Sequence, residues 1–332
     1  MTRFLAFVVA LLLSASAALA EPPLCQGNDL LAKLQQDDPQ AYADVMQQAS
    51  HVKNGEAILW KIETDGVAPS WLFGTAHVTD PRVTNIPDEA KVAFAAASTV
   101  ALELKEIRDP QEMALASMSQ ASLMVLPPGQ SLWDLIPDGK EALIRGNINL
   151  PPGAGKTIFG YQPWVVAAML SIPVCELHRE QAGIASLDET LARDAEKQGK
   201  ALVGLETLKE QLSVFAGMPI ELQTKYLLAV AKLSTRTLDY FETLVSLYQQ
   251  RKITAYIPLS LKLEPPDGDT QAIMSFVEKD LTAKRNHVMQ ARAKDLLARG
   301  NVFIAVGAMH LPGDEGLVEL IRQAGYKVTP VN

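Results

Sequence analysis

Two hydrophobic periods alternate along this chain. Short runs of consecutive apolar residues, each ending on Gly, Glu or His, are separated by longer stretches in which apolar residues recur every three or four positions. From Asn28 to about Val52 the spacing is helical, with an interruption at Pro39. "AILWKIETD" and "SWLFGTAHV" then read as strands separated by "GVAPS", a hairpin-like opening. "PDEAKVAFAAAS" predicts a helix entered through Pro87, with acids in its first turn, leading to the strand "TVALELK". Residues 110–172 read as mostly helical, punctuated at "LPPGQS", "IPDG" and "LPPGAGKT". "YQPWVVAAMLSI" has the pattern of a buried helix, and "SLDETLARDAEKQG" that of an amphipathic one stopped by Gly199. The strand "ALVGLET" follows. A long helical stretch is predicted from about Pro219 to Arg251, then a loop over "PLSLKLEPPDGD", then one long helix closed by Gly300. The strand "NVFIAVGAMH", a helix near 315–324 and the strand "YKVTPV" finish the chain.

Strands alternating with helices specify an α/β fold. The expected architecture is a central mixed sheet with helices on both faces and a large helical insertion. The expected division is a signal peptide over 1–20, an N-terminal helical segment over 21–56, and an α/β domain over 57–332.

Composition adds export to this picture. Arg3 precedes an apolar run from Phe4 to Leu13, and small residues lead to Ala18-Leu19-Ala20, the form of a cleaved secretory signal. The mature chain is then expected to begin near Glu21, in the periplasm or outside the cell, with no later segment apolar enough to span a bilayer. The formal net charge of −8, without a basic tract, argues against nucleic acid as a partner. An oxidising compartment permits Cys25 and Cys175 to pair, and spacing alone leaves open whether they do or remain separate thiols.

The chemistry lies at strand ends. "SWLFGTAH" ends at His77, "TVALE" at Glu103, "ALVGLE" at Glu206 and "VFIAVGAMH" at His310. If the four strands run parallel, these side chains gather at the carboxyl edge of the sheet, where α/β folds bind ligands. Each histidine follows a Gly-x-x-His device, through Gly74 or Gly307, in a chain with only five histidines. Glycine is expected there to let the backbone turn sharply after the strand. Imidazole and carboxylate are ligands for a divalent transition metal, namely Mn, Co, Zn or Fe. The candidate set is His77, Glu103 and His310, with Glu206 as a further or supporting member. Such an ion, with an open position, lowers the pKa of bound water, and a glutamate beside it can serve as base. Taken singly, either Gly-x-x-His is an ordinary core or surface feature, and Glu206 before "TLKEQL" can serve as a helix-entry acid. "PPGAGKT" has Leu150 where a phosphate-binding loop needs glycine and reads as a turn. His51 and His178 stand in polar contexts and read as solvated.

"LWKIETDGVAPSWLFGTAHVTD", "VALELK", "YQPWVVAAML", "SLDETLARDAEKQGKALVGLETLKEQ" and "FIAVGAMHLPGDEGLVELIRQAGYKVTPV" resemble the TraB/GumN family, over roughly residues 57–331. That family is related to TIKI-type proteases and, more distantly, to erythromycin esterases and ChaN-like haem-binding proteins. The resemblance implies an α/β fold whose active site is lined by His77, His310 and Glu103. Arg285, in "KRNH", matches a helix arginine that accompanies them and is expected to stabilise an oxyanion. Ser186 departs from the expected glycine or small aliphatic residue, which bears on packing more than chemistry. The function this implies is metal-dependent hydrolysis of a peptide or small amide or ester. The alternatives are a metal-free, esterase-like scheme with a histidine base, a binder of peptide or haem, and a vestigial cleft.

Overall fold

The computed structural model describes residues 21–146 and 158–331. The signal-peptide reading and the "PPGAGKT" turn lie outside the described residues. Six strands form one sheet: β1 (Leu59–Glu63), β2 (Ser70–Thr75), β3 (Thr99–Leu102), β4 (Ala201–Gly204), β5 (Val302–Gly307) and β6 (Lys327–Pro330), in the order β4-β3-β5-β2-β1-β6. β4, β3, β5 and β2 are parallel neighbours, whereas β1 runs antiparallel between β2 and β6. The sheet is therefore mixed, and its parallel part consists of the four strands that carry the candidate chemistry.

Side chains alternate along a strand, and both faces of this sheet are covered. Phe303 and Ala305 of β5 pack with Phe73, Val100 and Leu102 against helices Asp88–Ala96 and Leu187–Lys197. Val302, Ile304 and Val306 face the other way, against Met289, Ala293 and Leu297 of helix Lys284–Arg299 and Val318 and Ile321 of helix Leu317–Gln323. All six β5 residues are buried, which is why "VFIAVG" reads as an unbroken apolar run.

The helical region departs from expectation in three places. The stretch from Pro219 to Arg251 is two helices, Ile220–Leu233 and Thr237–Gln249, joined by a 3-10 turn. The expected loop over "PLSLKLEPPDGD" is largely a helix, Tyr256–Leu263. Pro258 is tolerated because it sits in the first turn, where its missing N–H has no intrahelical acceptor. The long helix ended by Gly300, at φ 71°, is continuous but passes through a π-helical segment, Val277–Ala283. That segment ends just before Arg285, and π turns frequently mark functional positions.

The N-terminal segment divides into helices Leu30–Asp37 and Pro39–Ser50. Asp38 caps the second and Pro39 opens it, so the interruption read from the sequence is a capped boundary. Leu30, Leu31, Val45 and Ala49 pack with Leu247 and Leu259. A Cys25–Cys175 disulfide, closing a separation of 150 residues, resolves the alternative left open by the sequence.

Candidate active site

The carboxyl ends of the four parallel strands hold every candidate strand-end residue. Glu103 directly follows β3, Glu206 lies two residues after β4, His77 two after β2, and His310 closes the 3-10 turn Ala308–His310 after β5. Across the edge the strand order is therefore Glu206, Glu103, His310, His77.

The glycines act differently from expectation. Neither Gly74 nor Gly307 has positive φ; Gly307 sits at φ −50°. What each supplies is room. A Cβ on Gly74 would lie 3.0 Å from the backbone of Ala308 and 3.0 Å from Leu311 Cδ2. A Cβ on Gly307 would lie 3.1 Å from His77 Nε2 and 3.3 Å from Glu103 Oε1. The Gly-x-x-His repeat thus reflects two strand exits crowded against each other and against the reactive side chains.

Glu103 occupies the centre. Its Oε1 accepts the Gly307 N–H at 2.7 Å and lies 3.8 Å from His77 Nε2 and 3.9 Å from His310 Nε2. Its Oε2 accepts from Arg285 Nη2 at 2.7 Å and Gln211 Nε2 at 3.0 Å. Burial opposes its ionisation, but His77, His310, Arg285 and the Gly307 N–H outweigh that and hold its pKa at about 2. Arg285 also donates through Nε, at 2.9 Å, and Nη2, at 2.6 Å, to Glu206. One guanidinium fork thus spans two buried carboxylates, a geometry lysine cannot reproduce. Among the described residues, Glu206 has no hydrogen bond or ion pair with either histidine; its partners are Arg285 and Gln211.

Each imidazole is oriented through Nδ1. His77 Nδ1 lies 2.7 Å from Asp188 Oδ2, and Asp188 Oδ1 accepts the Thr75 hydroxyl at 2.7 Å. A carboxylate can only accept, so Nδ1 carries the proton. His310 Nδ1 lies 2.7 Å from Asn286 Oδ1. Asn286 Nδ2 donates to the Glu315 carbonyl at 2.7 Å, which assigns the amide's orientation and again places the proton on Nδ1. Both Nε2 atoms are therefore turned towards Glu103. Their charges differ. Asp188 raises the His77 pKa to about 9 against the effect of burial, whereas burial lowers that of His310 to about 4. The His77 side chain is 58% exposed along the cavity, so water screens part of the Asp188 attraction.

Two imidazole nitrogens and a carboxylate oxygen, with both rings held through their other nitrogen, are the donor set of a divalent transition metal. The separations are open. Neighbouring ligands of a tetrahedral ion at about 2.1 Å stand about 3.4 Å apart, and among the described residues no three His, Cys, Asp or Glu are gathered closely enough to form a ready cage. The residues fit in chemistry and direction, with a small inward movement required.

A cavity of about 540 Å³ opens on His77, Glu103 and Asp188, with an apolar wall at Leu104, Ile107 and Met113. Sequence reasoning missed Asp188, Asn286, Thr75 and Gln211. Asp188 lies in a first turn where Ser186 and Glu189 already form the reciprocal cap, so it reads as one more helix-entry acid. Its burial was the missing signal. Ser186, the departure noted above, is the N-cap of the helix that delivers Asp188. His51 and His178 are exposed, and His287 pairs with Glu315 at the surface.

This is an α/β protein with a histidine–carboxylate cleft at the carboxyl edge of its parallel strands. The chain belongs to the TraB/PrgY/gumN family, whose sequence profile matches residues 58–330. It is 28% identical to Metalloprotease TIKI1 of Danio rerio, over 82% of this chain and 62% of that protein. Metalloprotease TIKI1 of Homo sapiens is 27% identical over 82% of this chain and 61% of its own length. Metalloprotease TIKI2 of Danio rerio is 26% identical, over 83% of this chain and 61% of that protein. The chain thus spans about three-fifths of the length of these curated relatives. No solved structure is significantly similar.

Proposed function

We propose that this protein is an exported, metal-dependent hydrolase of peptide or similar amide bonds. The observation that carries the proposal is the orientation of both imidazoles: Asp188 and Asn286 hold the Nδ1 atoms, leaving both Nε2 atoms facing Glu103 Oε1, where a bound ion would replace the Nε2 proton that His77 carries. His77, His310 and Glu103 would hold the metal, of the Mn, Co, Zn or Fe class. When bound, such an ion polarises a carbonyl and lowers the pKa of water. The resemblance to proteins called metalloproteases supports the same reading.

The chain's own residues have distinct parts in this reading. A carboxylate held at a pKa of about 2 is a poor base near neutrality, which favours Glu103 as ligand over general base. Arg285 has Nε and Nη2 on glutamates and Nη1 3.4 Å from the Leu281 carbonyl. Its part is to position Glu103, in place of the oxyanion role expected from the sequence. Glu206 fixes Arg285 and stands outside the proposed ligand set. Export is supported by the disulfide, since such bridges persist in oxidising compartments. No helix among the described residues is long and apolar enough to cross a membrane.

A second reading rests on the His77–Asp188 pair, which is also the base-and-orienter arrangement of metal-free hydrolases, and in which activity would rise with pH towards about 9 as His77 loses its proton. Elemental analysis of protein purified without a His tag separates the two. Stoichiometric transition metal, lost in both His77→Ala and His310→Ala, supports the proposal. Metal retained in both variants, or absent from an active wild type, transfers the function to the metal-free scheme. A Soret band on haem addition that needs these histidines would instead make the cleft a binding site.

A further inference from the structure

The charged groups of the cavity fall into two sets. Glu103 is held by Arg285, Asp188 by His77 and Thr75, and Glu189 Oε2 accepts the Ser186 N–H at 2.8 Å. Arg193 also lines the cavity, partly buried on helix Leu187–Lys197, and has no hydrogen bond or ion pair among the described residues. A guanidinium in a concave site next to the reactive residues, with its donors uncommitted, is an anion receptor, best matched by the planar fork of a carboxylate. Opposite chemistry is supplied by Leu104, Ile107, Pro110 and Met113, which offer an apolar wall in the same cavity.

We infer that Arg193 is a specificity-determining residue that anchors a ligand carboxylate, and that the cleft takes short peptides combining that carboxylate with an apolar side chain. The carboxylate comes either from a free C-terminus or from an acidic side chain, and Arg193 would treat the two alike in charge but not in distance. Glu180 and Glu189 line the cavity as well and are its competitors in sign, Glu189 standing one helical turn before Arg193. The inference rests on the hydrolase reading for the meaning of the ligand, but its test reads binding rather than turnover.

Three probes suffice, each measured by calorimetry. They are N-acetyl-Leu-Phe as the carboxylate, the same dipeptide as the carboxamide, and N-acetyl-Leu-Asp carboxamide, whose only carboxylate is on the side chain. Wild type is expected to bind at least one carboxylate probe about tenfold or more tighter than the neutral one, as charge-assisted pairing implies. The tighter of the two identifies the source. Arg193→Gln should bring that probe within about twofold of the carboxamide, Arg193→Lys should restore part of the preference, and Glu180→Gln should keep or enlarge it. Equal binding of all probes by wild type overturns the inference. So does no measurable binding, a preference that survives Arg193→Gln, or one abolished by Glu180→Gln. If the preference follows Arg193 but no peptide is ever hydrolysed, the anchor stands and the hydrolase reading falls.

Discussion

Asp188→Asn removes a charge while keeping a hydrogen bond. The amide oxygen can still accept from His77 Nδ1, and its nitrogen can donate to the Thr75 hydroxyl, so the shape of the pair survives. What disappears is the main cause of the raised His77 pKa, which stands at about 9 against an ordinary 6.5. In metal-stripped protein, His77 of the variant should therefore titrate well below the wild-type value, towards 6.5, since burial and Arg285, which lower it, then stand against Glu103 alone, which raises it. That difference corresponds to roughly 3 kcal/mol if unscreened. With the side chain 58% exposed, solvent reduces this to about 1–2 kcal/mol. The sign follows from linkage. A histidine whose folded pKa is raised stabilises the fold fully below its unfolded pKa, and that contribution is lost as pH rises through the folded value. Wild type should exceed the variant in urea stability at pH 6, and the gap should close by about pH 9.5. Carbon-13 NMR of the imidazole ring reads the pKa directly. A variant whose His77 still titrates near 9 would show that Asp188 is not the cause, and a gap that widens with pH would refute the sign.

Arg285→Met leaves Glu103 and Glu206 buried without their cation and should cost about 3–5 kcal/mol by thermal or urea unfolding; adding Glu206→Gln should recover part of the loss. Glu103 is the depressed-pKa case, so its contribution is present above its ordinary value of 4.5 and is lost as pH falls towards 2; Glu103→Gln should flatten the acid limb of the stability curve. Gly307→Ala has an acceptable φ but sets a methyl 3.1 Å from His77 Nε2. It should unfold within a few degrees of wild type yet bind metal at least about tenfold more weakly. Reducing Cys25–Cys175 should destabilise the fold by up to about 5 kcal/mol, the chain-entropy value for a loop of 150 residues, as measured by unfolding with and without reductant. If His77 and His310 share one ion, alanine at both should lower activity scarcely more than alanine at either, whereas independent roles would make the losses multiply.

Strand ends were legible because one signal carried both fold and site. An apolar run long enough for a buried parallel strand must stop where the backbone leaves the sheet, and the next polar side chain stands at the edge. His77, Glu103, Glu206 and His310 all follow that rule, and the parallel order β4-β3-β5-β2 brings them together. Their partners were not legible. Asp188 and Asn286 come from helices, where a polar residue reads equally well as a cap, a solvated face or a buried support. Helix Tyr256–Leu263 was hidden for a related reason: Pro258 looks like a breaker until the helix start is known.

The glycines show how a correct motif can carry a mistaken mechanism. Gly-x-x-His invites a local explanation, a backbone released into a sharp turn, yet both residues have ordinary φ. The constraint is tertiary: Gly74 admits the exit of β5, and Gly307 admits the His77 ring and the Glu103 carboxylate. Gly307 then does a second thing that only its backbone can do, donating its N–H to Glu103 Oε1. The same oxygen faces both Nε2 atoms, so the close approach that leaves a side chain at residue 307 crowded is also what aims Glu103 between the histidines. A repeat that looks like two copies of one turn is thus one packing requirement seen from its two sides.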